Sequence, residues 1–100
     1  MKNTYRLIWS LRAFQNLKRI ITYLEENWTE KEIKNFSIRL DSYLTIIEKR
    51  PNTFPAAKSK QNIRRTVVTK HNTLYYKVEK DSIQLIAIID NRQDPLKNKI

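Results

Sequence analysis

Arginine, lysine, tyrosine and one histidine are concentrated in the stretch Asn62–Val78, NIRRTVVTKHNTLYYKV. Cationic and hydroxyl groups of these kinds grip phosphate and stabilise a developing negative charge. Together they could also cleave RNA without a metal. The 2′-hydroxyl would attack the adjacent phosphate while the protein supplies a base, an acid and cationic stabilisation. His71 is the sole side chain whose unperturbed pKa suits proton transfer near neutral pH. It falls in a predicted turn, where a histidine is ordinarily just exposed. Arg64 and Arg65 are adjacent in a predicted strand and so point to opposite faces. One is expected to be partly buried or paired, with a carboxylate such as Asp90. The other is expected to join Tyr75 and Lys77 on an open face.

Other chemistries lack their residues. The chain has no glycine, which removes Gly-rich phosphate loops and dinucleotide fingerprints. Without cysteine, and with one histidine, neither a zinc site nor a Cys–His nucleophile pair is expected, and no cofactor or metal is implied. Glu25, Glu26, Glu30 and Glu48 belong to solvated helix faces.

Charge is the strongest global signal. Twenty Lys and Arg against ten Asp and Glu give a formal +10 over 100 residues. From Pro51 to Val78 there is no acid, but there are six bases: Lys58, Lys60, Arg64, Arg65, Lys70 and Lys77. Such a segregated surface attracts polyanions or an acidic protein segment. Length allows one domain, 1–100, with 91–100 as a polar tail. No apolar run approaches a membrane span and the N-terminus has no signal-like apolar region, so a cytoplasmic protein with no membrane partner is expected.

The elements that must position these groups follow from periodicity. Thr4–Trp9 reads as a first strand and Ser10 as the N-cap of a helix with core stripe Leu11, Phe14, Leu17, Ile21 and Leu24. A second helix begins at a capping box, Thr29 with Glu32, and a staple of Trp28 on Ile33. Its stripe is Ile33, Phe36, Leu40, Tyr43, Leu44 and Ile47, and Pro51 ends it. Residues 51–61 read as a loop. Three strands follow, Ile63–Thr69, Leu74–Glu79 and Ile83–Ile89, with Asn72 or Asp81 available for left-handed turn positions. In the middle strand Leu74, Tyr76 and Val78 face one side, with Tyr75, Lys77 and Glu79 on the other. The class is α+β: a helical hairpin across one face of a mainly antiparallel sheet.

Four stretches in this order, YRLIWS, NWTEKE, IRR and KHNTLYYKVEKDSIQLIAIIDNRQDP, resemble the RelE/ParE superfamily of bacterial type II toxin–antitoxin modules. The likeness spans Tyr5 to Leu96. It implies a toxin neutralised by a cognate antitoxin, in a hetero-oligomer, through an often acidic segment laid on the basic surface. RelE-like members cut mRNA in the ribosomal A site, whereas ParE-like members poison DNA gyrase. By resemblance Arg92 falls where RelE-like enzymes carry a functional arginine after the last strand, and Arg64 or Arg65 occupies an arginine region. A nuclease would therefore draw on Arg92, Arg65, Arg64, His71 and Tyr75, and a partner or nucleic acid would meet Lys58, Lys60, Arg64, Arg65, Lys70, Lys77 and Arg92. Two departures favour the ParE-like reading: Thr73 stands where RelE-like chains often have arginine, and no catalytic tyrosine follows the last strand. A degenerate toxin that only binds its antitoxin is the remaining alternative.

Overall fold

The computed structural model describes residues 5–27, 29–57 and 60–90. The elements are β1 (Arg6–Trp9), α1 (Leu11–Asn27), α2 (Glu30–Lys49), β2 (Ala56–Ala57), β3 (Lys60–Thr69), β4 (Asn72–Val78) and β5 (Ser82–Asp90). The strands form one sheet in the order β1-β5-β4-β3-β2. Pairing is antiparallel throughout except that β1 runs parallel to β5, with Leu7 opposite Ile83 and Trp9 opposite Leu85. The α+β class and the helical hairpin on a mainly antiparallel sheet are as the sequence implied.

One face of the sheet is covered by the helices. Val68, Leu74, Tyr76, Ile83, Leu85 and Ile88 meet Ala13, Ile20 and Leu24 of α1 and Phe36, Leu40 and Ile47 of α2 in a single buried cluster. The α2 stripe follows the expected spacing: Ile33, Tyr43 and Leu44 complete it as half-buried residues packed against that cluster.

α1 keeps the later part of its expected stripe, with Leu24 buried and Leu17 and Ile21 packed against the core, but its first turn departs from it. Leu11 and Phe14 are 72% and 49% exposed, while Ala13 is fully buried. Long-range hydrogen bonds explain the departure. β5 carries an irregularity where Tyr75 pairs with Ala87 but Tyr76 pairs with Leu85, leaving Ile86 without an opposite residue. The Ser10 hydroxyl donates to the Ile86 carbonyl at 3.0 Å, and the Asn16 side-chain oxygen accepts from the Ile88 N–H at 3.1 Å. The Ser10 N–H donates to the Leu85 carbonyl at 3.1 Å. These contacts bring the first turns of α1 onto β5, and Ala13 permits the approach because its side chain ends at Cβ. Ser10 also caps the helix as expected, accepting from the Ala13 N–H at 3.0 Å.

Other expectations are corrected. Thr29 makes no side-chain cap; its backbone carbonyl accepts from Glu32 and Ile33 instead, so the capping box is not formed. The expected staple rests on Trp28, which lies outside the described residues. The 51–61 segment is more than a loop, since β2 pairs with β3, and β3 begins at Lys60. No described residue has positive φ, so neither Asn72 nor Asp81 takes a left-handed position. The β3–β4 turn is closed by side chains: the Thr69 hydroxyl accepts from the His71 N–H at 3.1 Å and donates to Asn72 Oδ1 at 2.8 Å.

Because one hydroxyl serves both the α1 cap and the β5 irregularity, Ser10→Ala should destabilise the fold by about 1–3 kcal/mol in urea denaturation. A change confined to a few tenths would show that the junction is not structural.

Candidate functional site

The register of the sheet sorts the candidate residues onto two faces. Cross-strand partners share a face, so Arg65 opposite Tyr75, and Ile63 opposite Lys77, lie on the side away from the helices. Val67, opposite Thr73, continues that open face and is exposed. Arg65 is exposed and Tyr75 and Lys77 are half-buried. Lys77 Nζ is 3.7 Å from Glu79 Oε2, a solvent-exposed pair worth little by itself. Arg65, Tyr75 and Lys77 are therefore brought together, as the alternation predicted.

Arg64 points the other way, opposite Tyr76 on the helix side. It is half-buried, and its Nη1 donates to the Phe54 carbonyl at 2.6 Å. That partner is a backbone carbonyl. The suggested Asp90 is buried at the far end of the ladder, opposite Asn72. The Tyr76 hydroxyl, fully buried, donates to the Pro51 carbonyl at 2.7 Å. The Arg65 N–H donates to the Pro55 carbonyl at 3.1 Å, and Phe54 packs on Tyr43 of α2 with ring centroids 5.8 Å apart. Residues 51–55 are thus tied to the sheet at three carbonyls. The buried setting of Tyr76 pushes its phenol up to about 12, moderated by the nearby Arg64 charge.

His71 belongs to neither group. It is half-buried in the β3–β4 turn and lines a cavity of about 520 Å³ between that turn and the helices. Leu24, Glu32, Asn35, Phe36, Arg39, Thr69, Lys70 and Asn72 complete the wall. Lys70 is exposed there, away from Arg65 and Tyr75 in the ladder. Arg39 Nε donates to the Val68 carbonyl at 2.8 Å. Sequence reasoning missed Arg39, Asn35 and Glu32 as site residues. The available signal was their spacing with Phe36, which puts all four on one helix face; their approach to the turn is a tertiary fact. Lys58, Arg92 and the Lys60 side chain lie outside the described residues. Among the described residues there is no cluster suited to a metal and no helix long and apolar enough to cross a membrane.

No family model matches the sequence, and no curated protein matches it significantly. Solved structures do. A chain of the chromosomal ParDE TA system from P. aeruginosa superposes with a TM-score of 0.72 at 12% identity, over 89% of this chain and 98% of that one. The YoeB dimer from Staphylococcus aureus gives 0.60 at 14% identity, covering 86% of this chain and 95% of that one. The YoeB/ParE toxin from Agrobacterium tumefaciens gives 0.63 at 11% identity, covering 85% and 96%. The chain therefore has the RelE/ParE toxin fold.

Tyr76 makes a prediction about alkaline stability. Its phenol is held at about 12 in the fold against about 10 unfolded. The raised value means the stabilisation is complete below pH 10 and is lost between pH 10 and 12. Over that window wild type should lose stability with a slope steeper than Tyr76→Phe by roughly 1.4 kcal/mol per pH unit. Parallel slopes in denaturant titrations would contradict the burial of this hydroxyl.

Proposed function

We propose that this chain is the toxin of a type II toxin–antitoxin module, that it acts by ParE-like inhibition of DNA gyrase, and that a cognate antitoxin with an acidic segment neutralises it. The observation that carries the reading is the separation of the candidate nuclease groups. Arg65 and Tyr75 share the open face, Arg64 is bonded to Phe54 on the helix side, and His71 lines the cavity at the turn. Among the described residues, the histidine, the side-chain type suited to proton transfer near neutral pH, is not on the open face with Arg65 and Tyr75, whereas acid–base cleavage of RNA needs its groups within reach of one substrate. A basic surface without that group suits binding, and the formal +10 suits an acidic antitoxin. The likeness to a chain of a ParDE system supports the same reading.

The surface contact falls to Arg65 and Lys77, with Tyr75 between them as an aromatic anchor. Arg64 serves the fold, positioning the 51–55 segment beneath them.

Purified protein should abolish DNA supercoiling by gyrase or trap a gyrase–DNA cleavage complex, and Arg65→Glu should weaken the effect by at least about tenfold. Unaffected supercoiling with no trapped complex would overturn the gyrase reading. The alternative, ribosome-dependent mRNA cleavage, draws support from the cross-strand pairing of Arg65 with Tyr75 and from the likeness to YoeB structures. Toeprinting on translating ribosomes tests it; A-site cleavage by the purified protein would establish the enzyme in place of the gyrase poison.

A further inference from the structure

Neither the open face nor the cavity at the β3–β4 turn accounts for the start of α1. Leu11 is the most exposed large apolar side chain among the described residues, and Phe14, one turn on, is half exposed. Their outward position is built into the fold. The Ser10 and Asn16 bonds to the irregular stretch of β5 fix which side of the helix meets the sheet, and Ala13 takes the buried place. Single exposed apolar residues are ordinary on a protein surface. Two neighbours held outward on one helix face mark a surface with a use.

The charges around them say what that use is. From Met1 to Leu24 the chain has five bases and no acid; its first carboxylate is Glu25. Leu11, Phe14 and Lys18 stand at i, i+3 and i+7, one strip along the helix, with Gln15 and Arg19 beside them, and all five are exposed. Lys18 Nζ lies 5.7 Å from the centroid of the Phe14 ring, which holds the ammonium against the apolar pair. Among the described residues neither Lys18 nor Arg19 is in a salt bridge. The outer face of α2 differs. Ile38 is 54% exposed there, but Lys34 four residues before it and Asp41 three residues after it balance in charge.

We propose that this strip is a docking surface for an acidic amphipathic helix of a partner protein, with the partner's apolar side chains on Leu11 and Phe14 and its carboxylates on Lys18 and Arg19. Leu11 to Lys18 spans about 10 Å at about 1.5 Å per residue, the length over which a facing helix repeats apolar residues at i, i+3, i+4 and i+7. Bases flanking an apolar centre match carboxylates flanking an apolar stripe and reject a basic helix of the same shape. A second copy of this chain is disfavoured, since two acid-free strips would face each other. A phosphate backbone would pair with the bases and leave Leu11 and Phe14 uncovered. The surface does not depend on the gyrase reading, because α1 lies on the opposite side of the sheet from Arg65, Tyr75 and Lys77.

The test is an NMR titration of the full chain with three probes: a synthetic acidic peptide with Leu at helical spacing among Glu, a peptide of the same composition with the Leu scattered, and phosphatidylglycerol vesicles. The amphipathic peptide should give saturable shifts centred on Leu11 and Phe14 and bind at least about tenfold tighter than the scattered one. Leu11→Ser combined with Phe14→Ser should weaken that binding by at least about tenfold, and Lys18→Glu by a similar factor. Ile38→Ser and Lys34→Glu, at exposed positions of α2, should leave it nearly unchanged. The proposal is overturned if the amphipathic peptide does not bind saturably, or if the scattered peptide binds as tightly. It is also overturned if the α2 variants weaken binding as much as the α1 variants, since diffuse attraction to a +10 chain would do that. Vesicle binding without peptide binding would make the strip a lipid surface, and self-association lost in Leu11→Ser would make it a dimer contact; either result overturns it. The wild-type comparison of the two peptides decides the matter by itself should a variant fail to fold.

Discussion

The fully buried Tyr76 hydroxyl, donating to the Pro51 carbonyl, ties the centre of the sheet to the end of the helical hairpin. β4 is the middle strand of five, and Pro51 follows immediately on the last residues of α2. A carbonyl at that place would otherwise be an unsatisfied acceptor against an apolar core. With Arg64 on Phe54 and the Arg65 N–H on Pro55, the chain leaving α2 is led along the sheet and into β2. The direction of β3 follows, and with it the outward face of Arg65. One arginine of the adjacent pair is therefore spent on the fold so that the other can be presented to solvent.

That division separates the protein into two chemically distinct surfaces. The open face carries Arg65, Tyr75 and Lys77 with Val67 beside them, a basic and partly apolar strip of the kind that binds a partner. The helix side carries the hydrophobic core and, at the turn between β3 and β4, a cavity with the chain's histidine in its wall. Acid–base catalysis needs its proton donor and acceptor within reach of one substrate. His71 and the Arg65–Tyr75 pair are on different sides of the sheet.

Local rules were legible where local forces dominate. The α2 stripe, the stop at Pro51, the Ser10 cap and the alternation in β4 all follow from side-chain periodicity and backbone chemistry, and each is present. The outward turn of Leu11 and Phe14 at the start of α1 was not legible, although the rest of its stripe was. Leu11 and Phe14 are as apolar as Leu17 and Ile20, and the bonds from Ser10 and Asn16 to the irregular stretch of β5 turn them outward. β2 is too short to leave a pattern, and the turn at Lys70-His71 is closed by Thr69 and Asn72 without a left-handed residue. The open-face group could be read from strand alternation alone. The cavity could not, because α2 and the turn are brought together only by the packing of α2 on β3.

The most direct measurement of the central claim is made in cells rather than on purified components. Double-strand DNA breaks and mRNA 5′ ends can be mapped genome-wide in the same culture after brief induction of the chain without an antitoxin. A gyrase poison predicts early DNA breaks at gyrase sites while mRNA ends remain those of the uninduced culture. Codon-phased mRNA cleavage with intact DNA would contradict the account and make the Arg65–Tyr75 face a catalytic one.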